Sequence, residues 1–207
     1  MPESLKFESI GWGVTERCNL ACPHCYSSVK KSSSDELTTQ ECMDIIDILH
    51  TVGLKNIGWT GGEPLLRRDL EDIIRYADER YGIASGITTN GIPHTRRRVD
   101  KLKEVGVRSL QISLDGSTPE RNRAIRGATE KDFEKVIAGI RYSQEAGLPV
   151  HLAMVVSRDT LDDVMSYIGM ARDLGVKSVR FCGFVPVGYG AIDEVNQRMA
   201  IGDRLHE

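Results

Sequence analysis

The chain reads as an α/β protein built on a parallel sheet, and three observations predict it. Short apolar runs alternate with amphipathic stretches through the 207 residues, giving six candidate strands and five clear helices, the pattern of repeated βα units. Four helices run out at a glycine just before the next strand, in Gly53-Leu54-Lys55, Gly106-Val107-Arg108, Gly147-Leu148-Pro149 and Gly175-Val176-Lys177, as a left-handed helix stop requires. The most distinctive short motifs then fall at the carboxyl ends of the strands, where parallel βα folds carry out their chemistry.

Each element has its own signal. Residues 10–15 form an apolar strand running into a cysteine-rich loop, and Ser32-Ser33-Ser34-Asp35 is a polar break. A helix begins near Leu37, with Thr38 or Thr39 as cap and Ile45, Ile46, Leu49 and Val52 at helical spacing. Residues 56–60 form the second strand, and residues 69–80 a helix with Leu70, Ile73, Ile74 and Ala77 on one face. Strand 84–88 precedes helix 96–105, strand 109–114 precedes helix 132–146, and strand 150–156 precedes helix 161–174. Strand 178–184 follows, and a sixth helix begins at 192–199.

Composition narrows the function classes. A net charge of −3 gives no electrostatic footprint for nucleic acid. No stretch approaches the ~20 continuous apolar residues that cross a bilayer. Residues 1–9 are charged and lack the apolar run of a signal peptide. Three of the five cysteines sit too close together for an extracellular disulfide framework. The expectation is a soluble protein of a reducing compartment, the cytoplasm, with no nucleic-acid and no membrane partner.

Those three cysteines carry the strongest signal: Cys18-Asn-Leu-Ala-Cys22-Pro-His-Cys25-Tyr26. Three soft thiolates on one short loop are a metal-ligand set. A closed structural zinc site needs four ligands, whereas three on an iron–sulfur cube leave one iron open. The C-x3-C-x2-C spacing resembles that of the radical S-adenosylmethionine (SAM) enzymes. The resemblance implies a [4Fe–4S] cluster on Cys18, Cys22 and Cys25, with SAM chelated to the open iron. It implies reductive cleavage of SAM to a 5′-deoxyadenosyl radical that abstracts hydrogen from substrate, and a reductant such as flavodoxin or ferredoxin. It also implies an open partial (β/α)6 barrel, which suits six βα units better than the eight of a closed barrel. The core occupies residues 1–207, with the sixth helix only begun, so the chain is expected to be a piece of a longer protein that lacks a C-terminal extension.

Further motifs match at successive strand ends. The second strand ends in Thr60-Gly61-Gly62-Glu63-Pro64, where glycines permit close backbone approach and a carboxylate can pair with an ammonium group. A glycine turn with a solvated acid is the plain alternative. By resemblance, Gly61, Gly62 and Glu63 hold the methionine amino group of SAM. The third strand ends in Thr88-Thr89-Asn90-Gly91 and the fourth in Ser113-Leu114-Asp115-Gly116; by resemblance Thr89, Asn90, Ser113 and Asp115 contact the ribose and neighbouring groups. Asn-Gly and Asp-Gly are also ordinary turn formers. Arg126, in Arg126-Gly127, resembles the arginine that forks onto the SAM carboxylate, with Arg123 as runner-up and a solvated helix face as the alternative for both. His24 stands where the family often has an aromatic beside adenine.

The loop after the sixth strand, Val185-Pro186-Val187-Gly188-Tyr189-Gly190, resembles that of enzymes maturing peptides, quinone cofactors and modified haems. The expected substrate is therefore a peptide or cofactor precursor. The competing reading is a non-catalytic zinc module on Cys18, Cys22, His24 and Cys25. Cys42, Cys182, His151, Trp12 and Trp59 read as packing residues, and the run from His94 to Arg98 as a solvated helix start.

Overall fold

The structure, a computed structural model, describes residues 7–27 and 35–200. The serines of the 32–34 break and residues 1–6 lie outside them. Six strands form one sheet, β1 (Ser9–Gly13), β2 (Asn56–Thr60), β3 (Ala84–Thr89), β4 (Val107–Ser113), β5 (Val150–Val156) and β6 (Ser178–Gly183), all parallel and adjacent in chain order. The helices α1 (Thr39–Thr51), α2 (Leu70–Tyr81), α3 (Arg96–Glu104), α4 (Pro119–Arg126), α5 (Glu130–Glu145), α6 (Val164–Asp173) and α7 (Asp193–Met199) connect or follow the strands. This sequential order with helices outside is the open partial (β/α)6 barrel.

The helix starts are set by threonines. Thr38 caps α1 and Thr129 caps α5, each in a reciprocal capping box with Glu41 or Asp132, while Thr95 and Thr118 cap α3 and α4. Each such cap stabilises its helix by about 1 kcal/mol. At the other ends, Gly53, Gly106, Gly147 and Gly175 all have positive φ.

Strand alternation sends large side chains outward to the helices. Trp59, Ile87 and Leu110 join Leu70, Ile73, Ile74 and Ala77 of α2 in one buried cluster, and Ile112, Leu152 and Met154 join Ile140 and Tyr167 in a second. Each buried aliphatic side chain contributes roughly 1.5–3 kcal/mol. Trp12 stacks on Trp59 at 5.5 Å between centroids, and the Trp59 indole donates to Ser85 Oγ at 2.9 Å.

The inward positions are different. Gly11 and Gly58 on β1 and β2, Thr88 on β3, Gln111 and Ser113 on β4, and His151 on β5 line cavities inside the barrel. His151, expected in the core, is half-buried in this lumen, with Nδ1 2.7 Å from Ser178 Oγ.

Three further placements depart from the sequence reading. The charge run before α3 is not uniformly solvated: His94 is buried, and Arg98 pairs with Glu71 while donating to the Leu65 carbonyl at 2.9 Å. The helical signal at 161–174 resolves into a 3-10 turn, Leu161–Asp163, and then α6. Lastly, α4 is a separate short helix in its own right.

Candidate active site

The cysteine loop leaves β1 and folds over the end of β2. The Gly62 amide donates to the Thr15 carbonyl and the Glu63 amide to the Arg17 carbonyl, both at 2.7 Å. A Cβ on Gly61, whose φ is +131°, would lie 2.4 Å from Thr15 O, and one on Gly62 would lie 2.2 Å from Arg17 O. The glycine pair is thus required by the cysteine loop's own backbone. Within the loop, the Cys25 amide donates to the Cys22 carbonyl at 3.0 Å, closing the C-x2-C turn.

One cavity of about 670 Å³ gathers the strand ends. Cys18, Cys22, Cys25, His24, Gly61, Gly62, Thr89, Asn90, Ser113, Asp115 and Arg126 all line it. Of the site residues named from the sequence, Glu63 and the runner-up Arg123, which is exposed, are not on its wall. The Glu63 carboxylate is fully buried behind the wall, accepting from Thr89 Oγ1 at 2.8 Å, the Asn90 amide at 2.7 Å and the Leu65 amide at 3.1 Å. Burial pushes the Glu63 pKa above the ordinary value, against the pull of those donors and of Arg126. Asn90 in turn donates to Asn19 Oδ1 at 2.7 Å and lies 3.9 Å from Cys18 Sγ.

A second group of contacts is organised by Asp115. It is buried, and it accepts from Arg126 Nη1 at 2.7 Å and from the Val155 amide at 2.6 Å, with His24 Nε2 at 3.3 Å. Burial alone would raise its pKa; Arg126, His24 and the Val155 amide outweigh that and hold it at about 2. Burial works against the Arg126 charge, yet Cys22 and Asp115 overcome it and push its pKa up. Burial raises the Cys18 and Cys22 thiols, and Arg126 opposes this at both. His24 Nδ1 is buried with no hydrogen-bond partner among the described residues.

The donor chemistry fits an iron–sulfur cube: three sulfurs of one loop on one cavity wall, beside a guanidinium that favours thiolate. A cube spreads its thiolates over different irons, so they need not meet at a point. One zinc ion would require that meeting, and among the described residues no three histidine, cysteine or acidic side chains form a group that could hold a metal ion. His24 is engaged by Asp115. The zinc module therefore finds no support here.

The sequence did not reveal how the loop after β6 is anchored. The Tyr189 amide donates to the Cys25 carbonyl at 2.9 Å, and a Cβ on Gly188 would lie 2.4 Å from Tyr26 O. The Gly188-Tyr189-Gly190 triplet was the available signal. Cys182, read as a packing residue, is half-buried and lines the same cavity, whereas Cys42 lies in the core.

A parallel half-barrel with a three-cysteine loop over a glycine-glycine strand end defines a class of cofactor-binding barrel enzymes. Residues 12–171 match the family described as the Radical SAM superfamily, and the chain belongs to that superfamily. It is 34% identical over 185 residues to Fe-coproporphyrin III synthase of Methanosarcina barkeri, covering 88% of this chain and 45% of the relative. It is 34% identical over 183 residues to mycofactocin maturase MftC of Mycolicibacterium smegmatis, covering 88% and 46%. The fold is that of Streptococcus suis SuiB bound to S-adenosylmethionine, with TM-score 0.77 and 17% identity over 94% of this chain and 47% of that one. The chain spans about half the length of the curated relatives it matches. Among the described residues no helix is long and apolar enough to cross a membrane.

Proposed function

We propose that this chain is the catalytic core of a radical SAM maturase, with residues 1–207 forming one partial-barrel unit that works in the cytoplasm on a peptide or cofactor precursor. The observation that carries the reading is the single cavity shared by Cys18, Cys22, Cys25, the Gly61-Gly62 strand end and the Asp115–Arg126 pair. When bound, a [4Fe–4S] cluster fed by flavodoxin or ferredoxin supplies one electron to SAM, whose cleavage provides the 5′-deoxyadenosyl radical that takes hydrogen from substrate.

The chain's own residues prepare that chemistry. Cys18, Cys22 and Cys25 would hold the cluster, and Arg126 opposes the burial that would keep Cys18 and Cys22 protonated. Asp115 fixes Arg126 and His24 on the cavity wall. Ser113, on the cavity wall, would face the nucleoside. Glu63 acts from behind the wall, holding Thr89 and the Asn90 backbone in place. That makes it a positioning residue for the SAM seat.

The test is anaerobic iron–sulfide reconstitution followed by SAM and dithionite. About four irons and four sulfides per chain, with 5′-deoxyadenosine formed only under reduction, are expected. Loss of both in Cys22→Ala is the matching control. Reconstituted protein that binds zinc and never cleaves SAM overturns the proposal.

A further inference from the structure

Below the cysteine cavity the lumen holds a second chamber of about 310 Å³. A closed βα barrel fills this region with layers of Val, Ile and Leu; here it is left open. Gly11, Gly58 and Gly86 stand in register across β1, β2 and β3. None has a positive φ. A Cβ at Gly11 would meet nothing within 4 Å, and one at Gly58 only the Ile10 carbonyl at 3.7 Å, an ordinary contact. Gly86 is more closely packed, since a Cβ there would lie 3.3 Å from Ser109 Oγ. Glycine inside a strand weakens it, so Gly11 and Gly58, demanded neither by backbone conformation nor by steric conflict, mark space kept for something else.

The β4–β6 side of the chamber supplies the chemistry. Arg180 and Ser178, both solvent-exposed on the edge strand β6, line it together with His151, Ser109 and Gln111, and none of the described lining residues is acidic. The Arg180 guanidinium has no ion pair or hydrogen bond among the described residues. His151 and Ser178, cross-strand partners on β5 and β6, are joined by a 2.7 Å hydrogen bond. An unpaired guanidinium beside hydroxyls and an imidazole is a carboxylate receptor, because its fork of donors matches two carboxylate oxygens. The two chambers share Gly58, Thr88 and Gln111 as walls, so a molecule anchored below extends toward the cysteines.

We propose that the lower chamber binds the carboxylate end of a small organic acid, with Arg180 forking onto the carboxylate, His151 and Ser178 beside it, and the body of the molecule flat against the glycine row. Identifying that acid with the substrate rests on the function proposed above; the binding itself does not.

The test uses the anaerobically purified protein as isolated, without added SAM, titrated with 3-phenylpropionate and separately with its amide, 3-phenylpropanamide, and followed by backbone amide NMR. The acid is expected to give saturable shifts at Gly58, Gly86 and Ser109, with the amide at least about ten-fold weaker, the loss expected for one charge-assisted hydrogen-bond pair. Arg180→Gln should bring the acid down to the amide's affinity, while Arg180→Lys should fall between. Gly58→Val should weaken both ligands by filling the chamber. Equal affinity for acid and amide in the parent protein overturns the proposal, as does the absence of saturable shifts at the glycine row. Undiminished acid binding in a folded Arg180→Gln protein does so too. A negative result here leaves SAM cleavage intact, and failed SAM cleavage leaves this binding intact.

Discussion

Gly62 shows how a motif can be right in position and different in reason. The sequence suggests glycine for close approach of a ligand; the structure gives the close approach to Arg17 O, 2.2 Å from where a Cβ would sit. Gly62→Ala must therefore displace the cysteine loop or the β2 end. We expect a stability loss of about 1–3 kcal/mol, typical of overpacking, together with reduced iron incorporation, read by thermal melting and by iron content after reconstitution.

Two buried carboxylates, Glu63 after β2 and Asp115 after β4, are shifted in opposite senses. Asp115 has a folded pKa of about 2, below its ordinary 3.8. Its contribution, about 2 kcal/mol, is fully present above pH 4 and is lost as pH falls toward 2. Glu63 is shifted up from 4.5. Its contribution is full below pH 4.5 and is lost as pH rises through its folded value. Urea unfolding of Asp115→Asn should show a protein about 3 kcal/mol weaker near neutrality, since Arg126 is left buried without its countercharge. The acid-side decline should also be shallower. Glu63→Ala leaves three buried donors unanswered, so stability and SAM affinity should fall together, with iron content kept. A SAM affinity unchanged from the parent would remove Glu63 from the seat.

At the scale of elements, α4 carries Arg126 to the cavity and is held from outside. Asp163, itself buried, accepts from the Ser117 amide at 2.7 Å and lies 3.4 Å from Arg121 Nε. Asp163→Ala should speed hydrogen exchange across residues 119–126 by about ten-fold or more, on losing roughly 1–3 kcal/mol of satisfied buried polar contacts. An unchanged exchange rate would place the support of α4 elsewhere. This helix was not legible as a unit in the sequence because only Asn122 and Ile125 of its eight residues face inward, too few for a periodic apolar stripe. The strands and longer helices were legible for the opposite reason: Leu70, Ile73, Ile74 and Ala77 make an unbroken buried face. The cysteines and glycine pair were legible from spacing. The inward turn of Glu63 was not, because it depends on donors from β3 that only the sheet register brings near.

For the whole molecule, the barrel consists of a packed outer shell around a lumen that is left open. SAM bound in the upper cavity would stabilise the fold by mass action, about 2.7 kcal/mol at a hundred times its Kd. For a chain of this size that corresponds to a rise of about 5–10 °C in melting temperature, measurable on the reconstituted protein with and without SAM. No rise at saturating SAM would argue against a seat inside the barrel.

The bond from Tyr189 to Cys25 also bears on how the protein is made. The cysteine loop leaves the ribosome well before the segment that clasps it, with five of the six strands translated in between. Until β6 has joined the sheet, the loop has no partner on that side, so a nascent or partly folded chain presents its thiols to assembly machinery more openly than the finished protein does. The clasp makes the arrival of β6 and its following loop the event that covers the site on that side, and it sets the interval in which a preformed cluster can be delivered with least obstruction.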